Sequence, residues 1–243
     1  MTPDVSIVLS CFNRAKQLEK TLESIRVQSV AAEVIIVEDG CDGKTQYIAK
    51  NFGAKYFRRS RAELPVFQNP ARVHNIGIRR ATGRVVVLQG GEVMFETKPN
   101  GLGDLISPVL KDSNVATTPI VQSLDRHGKF QEMYCAPSGC PRASWIVNFC
   151  LAVDRNKLLE VGGFEESYWG YGFEDDQLVY SLRKIGVVPR YVPEVLTSHQ
   201  WHDRSAYDTN QENTKAQFEQ FIYRVETRGM PPIANVGGTW GEI

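Results

Sequence analysis

An α/β fold with a mostly parallel central sheet, flanked by helices in a single domain, is predicted by three observations. Short β-branched apolar runs alternate with amphipathic stretches, the pattern of parallel strands joined by helical crossovers. The runs are apolar almost throughout rather than at every second residue, as expected of strands covered on both faces. A length of 243 residues, with 42% hydrophobic and 23% charged side chains, suits one large soluble domain.

The elements follow in order. VSIVLSCF (5–12) is a buried strand, and apolar residues at 15, 18, 22 and 25 give the next stretch helical spacing. EVIIVEDG (33–40) is a second strand and KTQYIAKNFG (44–53) a helix stopped by glycine. AKYFRR (54–59) is a short third strand. PARVHNIGIRRATG (70–83) reads as a helix opened by Pro70 and closed by Gly83. GRVVVLQGGE (83–92) is a fourth strand. Beyond it, 102–112 is helical, 114–125 strand-like and 127–144 a long polar loop. SWIVNFCLAVDR (144–155) is a further strand, and NKLLEVGG a short helix. EDDQLVYSLRKIG (174–186) has apolar residues at 178, 179, 182 and 185, which puts its three acids at a helix N-terminus. From about 205 the chain reads as a polar helix followed by a glycine-rich end.

The 28 basic and 28 acidic side chains cancel, so nothing draws the chain generally to nucleic acid or an anionic membrane. No apolar run approaches the ~18 residues of a membrane span, and the start carries no signal-peptide pattern. Cys11, Cys41, Cys135, Cys140 and Cys150 are odd in number and dispersed, which points to reduced thiols and a cytoplasmic protein. Cys135 and Cys140 lack the second cysteine pair that zinc spacing would require.

Open parallel sheets bind ligands outside the carboxyl ends of their strands. That rule singles out Ser10–Arg14, Glu38–Asp42 and Gln89–Glu92. The stretch WGYGFEDD (169–176) stands apart. Macrodipole stabilisation accounts for one or two acids at a helix start, but not for the aromatic-glycine pairs before them. Flat apolar rings beside a carboxylate suit a sugar, which has an apolar face and a rim of hydroxyls.

Five pieces in order resemble GT-A-fold (Rossmann-like) glycosyltransferases of the family 2 type. They are VSIVLSCFNR, VIIVEDGCDGKT, NPARVHNIGIRRATG, the segment from NFCLAVDR to SLRKIG, and SHQWH. The fourth is similar to the acceptor region of β-1,4-galactosyltransferases and chondroitin polymerases. The resemblance implies a glycosyltransferase domain over 1–204, with a nucleotide-sugar-binding half (1–95), an acceptor and catalytic half (96–204), and a C-terminal helical extension (205–243). It implies inverting transfer of a hexose or N-acetylhexosamine from a UDP-sugar to a carbohydrate or glycoconjugate acceptor.

Carried over by position, Asp175 is the catalytic base and Glu174 binds acceptor hydroxyls beside it. Trp169, Gly170 and Tyr171 form the acceptor loop. Asp39 accepts the uracil N–H, Ser10, Phe12 and Arg14 contact base and ribose, and Arg72 offsets diphosphate charge. Asn75 and Gly77 read as packing residues. The family's metal motif is two aspartates separated by one residue after the fourth strand; here Gly90 and Glu92 stand at those positions. Glu92 remains as an oxygen ligand for Mn²⁺ or Mg²⁺, with His199 as partner and His202 as its competitor. Two alternatives accompany this reading. One is a catalytically retired binding module, for which LQGGE speaks. The other is transfer to modified nucleic-acid bases, for which YFRRSRAE (56–63) is the sole support, and that run reads more simply as a solvated strand end.

Overall fold

The computed structural model describes residues 3–39, 43–59, 69–135, 149–168, 170, 172–203 and 211–243. In chain order the elements are β1 (Val5–Cys11), α1 (Ala15–Arg26), β2 (Glu33–Glu38), α2 (Lys44–Asn51), β3 (Lys55–Arg58) and α3 (Ala71–Arg80). Then come β4 (Val85–Gly90), β5 (Val93–Phe95), α4 (Gly101–Lys111), β6 (Val115–Leu124), β7 (Phe130–Cys135) and β8 (Cys150–Asp154). The chain continues with α5 (Arg155–Glu160), α6 (Glu174–Lys184), β9 (Val188–His199) and α7 (Gln211–Glu226).

The strands form one sheet in the order β3-β2-β1-β4-β8-β6-β9-β5, with β7 paired to β6. The half from β3 to β4 is parallel. Beyond it β8 runs antiparallel to both β4 and β6, β9 is parallel to β6, and β5 and β7 add antiparallel edges. The near-continuous apolar runs follow from burial on both faces. On β1, Val5, Ile7, Leu9 and Cys11 pack under Leu18, Leu22 and Ile25 of α1 and Leu102 and Leu105 of α4. Val8 faces the opposite layer, built from Val73 and Ile76 of α3, Leu158 of α5 and Leu178 of α6.

Strand order reverses between β1 and β4, because β1 leads outward to β2 while β3 returns through α3 to β4. A crevice opens at the carboxyl ends of strands that flank such a reversal. Ser10 lies opposite Gly90 across it.

Two strands depart from expectation. Residues 130–135, read as part of a polar loop, form β7; Asp125 builds the turn by accepting the amides of His127 and Lys129. Polar side chains in FQEMYC masked it, since an edge strand needs little apolar cover. β5 has three residues and pairs with β9 a hundred residues away, too little for any periodicity to register. The rest of the 127–144 loop lies outside the described residues. Cys11 and Cys150 are buried free thiols, as the cysteine pattern suggests.

The C-terminal segment packs back on the domain. Phe218 and Phe221 of α7 meet Tyr180 of α6, with ring centroids 6.2 and 6.1 Å apart. Further on, Asn235 donates to the carbonyls of Gly162 and Phe164, and Gly241 donates to Glu166.

At the opposite, amino edge of the sheet, Glu33 joins three elements. It accepts from Lys55, from the Ser6 hydroxyl, and from the amide and hydroxyl of Thr82. Burial alone would raise this carboxyl, but the hydrogen bonds outweigh burial and hold it at about 2. A folded value below the ordinary one means stability present above about 4.5 and lost as pH falls toward 2. Thermal melts should therefore show Glu33→Gln losing less stability than the wild type across that window. Equal losses would contradict the assignment.

Candidate functional site

The site is built at the carboxyl edge of the sheet. The Asp39 amide donates to the Cys11 carbonyl, and the Gly91 amide donates to the Ser10 carbonyl, each at 2.8 Å. These bonds bring the ends of β2, β1 and β4 together. Ser10 and Phe12 are half-buried there. The Asp39 carboxylate is buried 3.7 Å from the guanidinium of Arg59, whose own side chain is 6% exposed. Arg59 was expected to be solvated; it is instead buried against the strand end, and residues 60–63 of that run lie outside the described residues.

The Gly90-Gly91-Glu92 turn has a steric logic. A Cβ on Gly91 would stand 2.9 Å from the Ser10 carbonyl oxygen, a backbone atom that cannot yield. A Cβ on Gly90 would stand 2.9 Å from the Glu92 carboxylate itself. Glu92 thus folds back into the space that a side chain at position 90 would fill. Gln200 fixes the turn, its amide and side chain both donating to the Glu92 carbonyl at 3.0 and 3.2 Å.

The pairing of β5 with β9 sets Val93 opposite His199, which delivers the histidine to Glu92. His199 Nε2 lies 3.6 Å from Glu92 Oε1. Its ring is walled by Tyr134 and Phe149, with centroids at 5.4 and 5.2 Å. Among the described residues, Glu92, His199 and His202 form a group able to hold a metal ion, with ligand atoms within 4.8 Å of one another. Burial by itself would raise the Glu92 carboxyl, but the hydrogen bond and charge of His199, with His202 and Arg14, bring it to about 2. An ionised carboxylate beside imidazole is a donor set that fits Mn²⁺ or Mg²⁺. Burial pushes the His202 imidazole down to about 4, against the pull of Glu92.

Arg14 and Arg72 take different places. Arg14, at the start of α1, is 9% exposed, and its guanidinium lies 2.8 Å from His202 Nδ1. Arg72 is half-exposed and its guanidinium lies 3.6 Å from Glu166, a residue held by Asn75 and Gly241. Two positions on, His74 turns inward and stacks on Phe164. A spacing of two residues is about 200° around a helix, so Arg72 looks away from the side His74 lines. The structure does not bring Arg72 to the Glu92 group.

The acid cluster opens α6. Phe173, with φ of 65°, precedes it, and Glu174, Asp175 and Asp176 fill the first turn. Glu174 is buried and Asp175 half-buried. One residue absent from the sequence expectations organises this corner. The Asn69 side-chain amide, 2% exposed, donates to Glu174 Oε2 at 2.8 Å and to the Gly170 carbonyl at 3.2 Å, with the Gly172 carbonyl at 3.5 Å. Its oxygen accepts the Ala71 amide at 3.0 Å, at the start of α3. Because α3 runs from the carboxyl edge back to the start of β4, this bond sets the α6 acids at the same edge as Asp39 and Glu92. Burial raises the Glu174 carboxyl, and Asp176 adds to the rise against the Asn69 hydrogen bond. Trp169 and Tyr171 lie outside the described residues.

The model of glycosyl transferase family 2 matches residues 6–169, and that of the N-terminal domain of galactosyltransferase matches 142–198. Polypeptide N-acetylgalactosaminyltransferase 8 of Drosophila melanogaster is 28% identical over 233 residues, covering 83% of this chain and 38% of that protein. The chain therefore spans well under half the length of this curated relative. Among solved structures, GalNAc-T7 with UDP, GalNAc and Mn²⁺ superposes with a TM-score of 0.69 at 18% identity, over 95% of this chain and 52% of that one. The mannosyltransferase PcManGT from Pyrobaculum calidifontis, in complex with GDP-Man and Mn²⁺, gives 0.65 at 17% identity, over 96% and 67%. These likenesses establish the GT-A fold. Among the described residues, no helix is long and apolar enough to cross a membrane.

Proposed function

The chain belongs to glycosyl transferase family 2, and from that premise we propose that it moves a hexose or N-acetylhexosamine from a UDP-sugar to an acceptor hydroxyl with inversion. One observation carries the reading. A single edge of the sheet gathers Ser10, Asp39, Glu92 and His199, and Asn69 ties the acid cluster of α6 to that edge.

In the proposed reaction Asp39 accepts the uracil N–H, and Ser10 and Phe12 contact base and ribose. Glu92 and His199 would hold Mn²⁺ or Mg²⁺, which when bound neutralises charge on the departing diphosphate; an imidazole ligand favours Mn²⁺. Asp175 takes the proton of the acceptor hydroxyl as its oxygen forms a bond to the anomeric carbon. The bond to the diphosphate breaks on the opposite face, and UDP leaves with that electron pair. Glu174, whose burial favours the protonated form, is suited to hydrogen-bond the acceptor rather than to act as base, so the neighbouring acids divide the work. Trp169, Gly170 and Tyr171 would cover the sugar and exclude water.

The retired-module alternative loses its main support, because Glu92 fills the room left at Gly90. Purified protein incubated with a panel of nucleotide sugars and Mn²⁺ should hydrolyse a UDP-sugar slowly. Proton NMR of the first-formed sugar should show the anomeric configuration opposite to the donor's. Retention of configuration would remove the direct-displacement mechanism, and inertness toward every donor would remove the enzyme reading.

A further inference from the structure

The cation expected to offset the donor's diphosphate, Arg72, lies on an outward face against Glu166, 47% exposed. The Glu92 group has a different arginine beside it. Arg14 reaches in from the β1–α1 turn, 9% exposed, with its guanidinium 2.8 Å from His202 Nδ1. We propose that Arg14, braced by His202, is the residue that binds the donor's diphosphate, and that this grip persists when divalent metal is removed. The inference rests on the nucleotide-sugar reading above and specifies how that donor is held.

The argument begins with hydrogen-bond valence. A guanidinium has N–H donors and no acceptor, so His202 Nδ1 must accept from Arg14 with its lone pair. The Asp203 carbonyl, 3.1 Å from the same nitrogen, could be served only by a proton there, which would set N–H against N–H at the shorter contact. A neutral imidazole that accepts at Nδ1 carries its proton at Nε2. Neither nitrogen then offers a lone pair to a cation. In this arrangement the group reduces to two metal ligands, Glu92 and His199, with a permanent positive charge alongside.

That charge is of the right kind. Arginine stays ionised in any protein environment and engages phosphate oxygens in pairs, which a bound Mn²⁺ does not replace. Its position fits the sheet topology as well. Arg14 follows β1, whose carboxyl end flanks the strand-order reversal where anionic cofactors sit in such sheets. His202 acts through Arg14, so it is a positioning residue.

Calorimetry with inorganic pyrophosphate tests this on the full chain, in EDTA and in Mn²⁺. Wild type should bind pyrophosphate in EDTA. Arg14→Gln should weaken that binding about tenfold or more, Arg14→Lys by less, and Arg72→Gln not measurably. His202→Phe should weaken it in EDTA while leaving Mn²⁺ affinity near wild type, a split that general structural damage would not produce. Melting temperatures recorded on every variant identify loss of fold. The proposal is overturned if wild type fails to bind pyrophosphate in EDTA, if Arg14→Gln binds it as tightly as wild type, or if Arg72→Gln suffers the larger loss. Turnover of UDP-sugars, measured in parallel on the wild type, keeps the two readings apart. Turnover without metal-free pyrophosphate binding refutes this inference alone, whereas pyrophosphate binding without turnover of any donor refutes the transferase reading.

Discussion

Replacing Asp175 with asparagine is expected to lower UDP-sugar hydrolysis and transfer by about 10²–10⁴-fold, the range supplied by a positioned general base. The exchange keeps size and shape at a half-buried helix start and removes only the basic oxygen. It also forfeits a favourable interaction with the helix dipole, worth roughly 0.3–1 kcal/mol, so the melting temperature should move by a few degrees at most. Asp176→Asn forfeits the same dipole term one residue further on and should retain most activity. That pairing separates electrostatic support of α6 from chemistry. Release of UDP, measured with each variant at saturating donor, reads the difference. Equal activity in Asp175→Asn and wild type would remove the base assignment.

Loss of Glu92 should be nearly as severe. Glu92→Ala takes away the one carboxylate among the three residues that could hold a metal ion and leaves Arg14 without that nearby counter-charge. Mn²⁺ affinity should fall about a hundredfold or more, since even residues that merely orient metal ligands are worth 10–100-fold. Stability should fall too, with a definite pH signature. The folded carboxyl titrates at about 2 against an ordinary 4.5. Its contribution is present above 4.5, and the gap between wild type and variant should narrow as pH drops from there toward 2. Calorimetry with Mn²⁺ and melts at pH 7 and pH 3 check both parts. Unchanged Mn²⁺ affinity would exclude Glu92 as a ligand.

Much of this is legible in the amino-acid sequence. Buried parallel strands announce themselves because both faces are covered, and the rule that ligands gather at strand ends pointed to the stretches 10–14, 38–42 and 89–92, within which the family resemblance picked Ser10, Asp39 and Glu92. The helix start at Glu174 was readable for a similar reason, since Leu178, Val179 and Leu182 repeat with the turn of a helix. What escaped depends on chain-distant encounters. Arg14 and His202 are 188 residues apart, and nothing local to either marks the pairing. Arg59 looked like part of a solvated basic run, because burial of a charge is decided by its partner, here Asp39. Gly90 read only as a missing first acid, because a sequence lists residues and does not show the Glu92 carboxylate turning into the space beside it. Asn69 offered one faint signal, a residue of N-cap type just before Pro70 and a helical run. That signal explains its bond to Ala71 and gives no hint of its bonds to Gly170 and Glu174.

Those bonds have a mechanical corollary. With one buried amide gripping the beginnings of α3 and α6, a shift of Gly170 or Gly172 drags on both helices together. Any displacement of that corner is then a single latch movement rather than two separate ones.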